Sequence, residues 1–236
     1  MKAIEALVDQ QIKRWELERK RPKAGPSEIM AAKPGPVITI SRQRGSGGSL
    51  VALRLAELTG FSHFNRELID GISHEIGIQK RLVETLDESV RSGFQLWVDG
   101  IMRGRIVDSS DYMQSLVKVI GAVIGHGKAI IVGRGANFLA DSLAAFNVRI
   151  VAEREFRIKS LCSRRNLSEQ EAGDEVRSND ENRNKFIKNN FGHDIDDPLG
   201  YDLIINSTNY TVDQIAGMIL SNYPVKLSRD GNKKRV

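Results

Sequence analysis

Between Ile38 and Leu50 the chain reads ITISRQRGSGGSL, a β-branched run that empties into a glycine-rich turn and then into an amphipathic stretch. Gly45, Gly47 and Gly48 can adopt backbone angles that turn N–H groups inward, and Ser46 and Ser49 add hydroxyls at the mouth of the following helix. Such a turn cradles an anion, phosphate above all. Ser49 stands where the hydroxyl of a phosphate loop meets Mg²⁺, but the motif GxxxxGK[ST] is broken twice: Gly48 replaces its lysine and Arg42 its first glycine. Arg42 and Arg44 flank the turn and carry lysine's sign on a longer, planar fork. Arg44, next to Gly45, is expected to curl over the turn and supply the missing charge, and Arg42 to pair with an acid.

Other chemistry is sparse. The four histidines lack metal-ligand spacing, and Cys162 is the single cysteine, which leaves no disulfide framework and no cysteine-rich metal site. A reducing, cytoplasmic setting is expected. The net charge of +5 sits at the ends: residues 1–24 carry +3 and residues 224–236 carry +4, leaving the body at −2. That distribution, with no aromatic stacking platform, argues against nucleic-acid binding. The most apolar stretch, VIGAVIGHGKAIIVG, is broken by His126 and Lys128 and is too short to span a bilayer, so no membrane partner is expected.

The elements that must position the turn read as alternating strands and helices. The runs VITIS, FSHF, AIIVG, FNVRIVA and YDLIIN are strands; helices are expected over about 49–58, 66–79, 80–91, 111–124 and 212–220. This alternation predicts a doubly wound parallel sheet, in which ligands bind beyond the carboxyl ends of the strands. Ile4, Leu7, Val8, Ile12 and Trp15 form the apolar stripe of an N-terminal helix, residues 1–24, followed by a Pro/Gly linker over 25–36. The stripe needs a partner, either the domain behind it or a second copy of the chain in a homo-oligomer. Residues 163–194 are dense in Arg, Asn and acids, the pattern of a helical hairpin over a site or of a solvated surface pair.

The loop, FNRELI after the second strand, IIVGRGAN at the third, the segment ending ENRNKF and YDLIINSTNYTVDQI together resemble the cytidylate kinase-like branch of the P-loop nucleoside monophosphate kinase superfamily. The resemblance spans about 37–223 and implies a three-layer α/β fold, a five-stranded parallel sheet with helices on both faces and a helical lid over about 155–197, with a basic tail over 224–236. It departs from true cytidylate kinases at Gly48, at Gly135 where those read GRD, and at Asn65 where related kinases place an aspartate. Carried over residue by residue, it puts donor phosphates on Gly45–Ser49, an acceptor phosphate on Arg134, transferring phosphates under Arg164 and Arg165, and the acceptor near Asn65, Arg66, Asn182, Arg183 and Lys185. The implied activity is ATP- and Mg²⁺-dependent phosphoryl transfer to a nucleoside monophosphate or a similar small phosphate acceptor. A non-catalytic nucleotide sensor of kinase fold is the alternative, suggested by Gly48 and Asn65.

Overall fold

The computed structural model describes residues 2–20, 36–86, 88–140 and 145–230. Most of the linker and residues 231–236 of the tail lie outside them. Five parallel strands, β1 Val37–Arg42, β2 Ser62–Phe64, β3 Ala129–Val132, β4 Ala145–Val151 and β5 Leu203–Asn206, lie in the order β2-β3-β1-β4-β5. The central strand, β1, has β3 and β4 on its two sides, with Ile38 opposite Ile130 and Phe146. Its β-branched residues are there because both of its faces are covered: Val37, Ile38 and Ile40 are all but sealed from solvent.

The helices are α1 Lys2–Lys20, α2 Gly48–Thr59, α3 Arg66–His74, α4 Ile76–Glu84, α5 Glu88–Gly104, α6 Asp111–His126, α7 Ala136–Ala140, α8 Arg154–Arg165, α9 Glu169–Phe191 and α10 Val212–Asp230. On one face of the sheet α2 and α10 bury Leu55 and Ile219 against Ile40 and Ile150. On the other, α3 to α6 gather Ile72, Leu82, Val98 and Ile120 around Phe64 and Ile131. The lid is the pair α8 and α9, with a small core of its own from Leu161, Ala172 and Val176.

Several boundaries differ from the sequence expectation. The helix expected over 66–79 breaks at Glu75, whose extended backbone (φ −112°, ψ 95°) separates α3 from α4. Helix α5 continues to Gly104, well past Arg91, because Phe94, Val98 and Ile101 need a helical face to reach the core. Helix α10 runs on to Asp230, so the tail begins within a helix.

Part of the α1 stripe docks on the chain's own domain, while Leu7 stays exposed. Val8, Ile12 and Trp15 are buried in the larger core, and the Trp15 ring stacks on His126 with centroids 3.8 Å apart. Asp9 pairs with Arg81 of α4 at 2.7 Å. No described helix is long and apolar enough to cross a membrane.

Candidate active site

The chain leaves β1 at Arg42 and turns through Gly45 and Gly47, whose φ angles of 84° and 79° lie in the left-handed region that glycine adopts without strain. Gly45 also lacks room for a side chain, since a Cβ there would stand 2.6 Å from the Arg157 carbonyl oxygen. Gly47 caps α2 with no side-chain acceptor, which leaves the start of that helix open to an anion. Ser46 faces inward instead: its hydroxyl donates to the Gln43 carbonyl at 2.9 Å and its carbonyl accepts from Ser207 at 2.8 Å. It braces the turn, and its side chain does not reach a ligand as expected. Ser49 is exposed at the second position of α2, its hydroxyl free to meet solvent or a ligand.

Both flanking arginines line the turn's cavity, but their pairing is the reverse of that expected. Arg44 swings to the lid, donating from Nε to Glu175 Oε1 at 2.8 Å and pairing with the same oxygen through Nη2, while its backbone N–H donates to Asp180 at 3.0 Å. Arg42 pairs with no carboxylate among the described residues, and its Nε is buried without a partner. Burial, then the nearby Arg183, holds the Arg42 guanidinium down at about 9, with Glu67 pulling the other way. It stays charged at neutral pH, in a field that favours an incoming anion.

Two cavities meet at this point. One, of about 170 Å³, lies over the loop and is lined by Gly45, Gly47, Gly48 and Ser49 with Arg164 and Arg165 from the lid. The other, of about 290 Å³, opens at the carboxyl ends of β1 and β3 and is lined by Arg66, Arg134, Asn137, Asn182 and Phe186 among others. Arg42 and Arg183 line both. Among the described residues no Asp or Glu lines either cavity. Arg183 donates to the Arg42 carbonyl at 3.1 Å, and burial, only partly offset by Asp180, holds its guanidinium at about 10.

The cytidylate kinase-like family model matches residues 37–209, from the first residue of β1 to just past β5. The chain belongs to that family. Cytidylate kinase of Thermoplasma volcanium is 25% identical over 191 residues, covering 78% of this chain and 89% of that protein. An uncharacterized protein from Eubacterium ventriosum shares the fold with a TM-score of 0.57 at 20% identity, over 82% of this chain and 99% of its own.

Within the cytidylate kinase-like frame, the residues singled out by sequence separate into those that line the site and those that do not. Arg134 does, but its charge is already claimed. Asp70 of α3 grips it through both carboxylate oxygens, with the Nε contact at 2.6 Å, and Tyr112 donates to the same carboxylate at 2.9 Å. Burial works against the Arg134 charge, and Asp70 outweighs it, so the guanidinium is held above its ordinary range. Its face lies over the Phe186 ring at 4.9 Å. Arg66 lines the cavity and stands 3.5 Å from Asp70. Asn65 is absent from the cavity lining among the described residues, and its Oδ1 accepts from the Leu68 N–H at 2.9 Å and caps α3. Lys185 is exposed on α9 and is not among the described residues that line the cavity.

Arg164 reaches the loop, its Nη2 lying 3.8 Å from where a Gly47 Cβ would be, whereas Arg165 is tied to Glu175 at 2.7 Å. Gly135 is glycine because φ is 67° and the Phe191 ring fills the space of its side chain, so the aspartate of GRD has no room here.

Sequence reasoning missed Asp70, Arg149 and Arg157. Arg157 of the lid pairs with Asp180, and Arg149 pairs with Asp196 while donating to Ser41 at 2.9 Å. Asp70 had one local sign, its place four residues after Arg66 on one helix face. The other two sit inside a strand and a charged helix, where sequence gives no hint of burial.

Proposed function

We propose that this chain transfers a phosphoryl group from ATP, seated on the glycine loop, to a nucleoside monophosphate or similar small phosphate acceptor in the arginine-lined cavity. The observation that carries this reading is the wall of Arg42 and Arg183 shared by the two cavities, with no carboxylate lining either among the described residues. Phosphoryl transfer asks for positioning and neutralised charge more than for covalent chemistry. An acceptor hydroxyl would need a base to take its proton. A phosphate oxygen arrives ionised and needs none, so the carboxylate-free lining favours a phosphate acceptor.

Mg²⁺ fits through the nucleotide: the loop cavity offers the Ser49 hydroxyl as its hard ligand, and the donor's phosphate oxygens would complete the set. When bound, the ion would spread the charge developing on the outer phosphates. Arg134, oriented by Asp70, would hold the acceptor's phosphate, and Phe186 offers an apolar face to its remainder. Arg164 would cover the transferring group from the lid.

A sensor without turnover would use the same cavities, and binding alone does not separate the two. Titration calorimetry with MgATP and, separately, with each nucleoside monophosphate tests the two-cavity arrangement. The reading expects one site for each ligand, both filled at once; competition of the monophosphate with ATP for a single site would count against it.

A further inference from the structure

We infer that Arg42 is the relocated counterpart of the phosphate-loop lysine, and that residues 42 and 48 have exchanged the glycine and the lysine-like cation of GxxxxGK[ST]. This rests on the donor-loop reading above. Positions 42 and 48 are the two at which the chain breaks that motif, and in the folded protein they touch. A Cβ on Gly48 would stand 2.6 Å from the Arg42 Cβ and 3.2 Å from its Cγ. Gly48 has an ordinary helical backbone, so space and not conformation demands glycine there. A side chain fits at 42 or at 48, but not at both.

The rest of Arg42 follows the same logic. Its guanidinium passes against Gly133 at the end of β3, where a Cβ would collide with Nη1. Its stem thus lies on one glycine and its head on another, and it emerges in the wall between the loop cavity and the acceptor cavity. A cation bridging donor and acceptor phosphates belongs in that wall. Three of the rival cations are engaged: Arg44 and Arg165 share Glu175, and Arg134 is gripped by Asp70, while Arg183 stands 3.6 Å from Asp180 and Arg164 covers the loop from the lid. Arg42 has no carboxylate among the described residues and a buried, unpartnered Nε, a cost that a bound phosphate would offset.

The test uses the full chain and four proteins: wild type, Arg42→Ala, Gly48→Lys, and the exchange Arg42→Gly with Gly48→Lys. Binding of MgATP and of inorganic tripolyphosphate is measured by calorimetry, with melting curves alongside. Arg42→Ala keeps its Cβ and the fold but should bind both ligands about tenfold more weakly or worse. Gly48→Lys alone should melt earlier, because its Cβ meets that of Arg42. The exchange should melt above Gly48→Lys and recover binding to within a few-fold of wild type. Wild-type affinity in Arg42→Ala, or an unharmed Gly48→Lys, would overturn the inference. If the exchange fails to fold, Gly48→Ala still decides, since one methyl suffices for the clash and an unchanged melting curve would refute it. Failure of the wild type to bind either ligand is a different result, which removes the donor-loop reading itself.

Discussion

Arg44 leaves the glycine loop and clamps Glu175 on α9, its Nε 2.8 Å from Oε1, so the residue beside the turn serves as a latch between loop and lid. The Asp180 carboxylate reinforces the latch by accepting from the Arg44 backbone N–H and pairing with Arg157. Arg44→Ala should therefore loosen the lid. Because the pair is part exposed, the expected loss is about 1 kcal/mol in denaturant unfolding, with a several-fold rise in KM for ATP. A large fall in kcat at unchanged stability would show that Arg44 acts on the phosphates after all.

Asp70 holds Arg134 in its cavity-facing position, and Glu67 supports the charge only through its field. Asp70→Ala should cost about 3 kcal/mol, since it leaves a mostly buried guanidinium unpaired. Tyr112→Phe, which removes one donor to the same carboxylate, should cost under about 1 kcal/mol. Acceptor affinity should fall in the first variant and hold in the second. Equal effects in both would mean that Asp70 does not orient Arg134.

The parallel sheet and its order of elements were legible because a strand buried on both faces must be β-branched and continuous, as VITIS is. The glycine turn was legible for the same kind of local reason. What each arginine does was not, since the chain leaves β1 at Arg42 and no strand periodicity carries over to Arg44, so nothing local says which of the two meets the acids. Those acids, Glu175 and Asp180, come 131 and 136 residues after Arg44. Asn65 carried a readable N-cap signature, but its match to a family position drew the reading to the acceptor. Helix α5 hid behind Gly93 and Gly100, which lower helix propensity within an otherwise regular apolar stripe.

Trp15 is buried between Phe64 and His126, with the larger stacking contact on His126. Trp15→Ala should lower stability by about 3 kcal/mol in urea unfolding, the range for emptying an aromatic core position. Stability unchanged by the substitution would mean that α1 is an appendage contributing nothing to the domain.

Anion binding should depend on pH through Arg42. Its folded value near 9 lies below the ordinary arginine range, so the free protein gives up that proton at a lower pH than an ordinary arginine does. A bound phosphate needs the charged form and would pull the proton back. Affinity for tripolyphosphate should therefore be flat from pH 7 to 8.5 and fall by up to about tenfold per unit above 9. Arg42→Ala should lose the onset near pH 9 and keep only the later fall from Arg183, held at about 10, and an identical slope in both proteins would assign it to another group.

The most direct measurement is ADP formation by the purified wild-type chain from MgATP, with each nucleoside monophosphate supplied in turn and an acceptor-free control. The account predicts that at least one monophosphate raises ADP formation well above the control, with the matching nucleoside diphosphate appearing in equal amount, and that Arg42→Ala abolishes the increase. ATP bound at the loop, with no monophosphate turned over by the wild type, would contradict it and leave a nucleotide-binding protein of kinase fold.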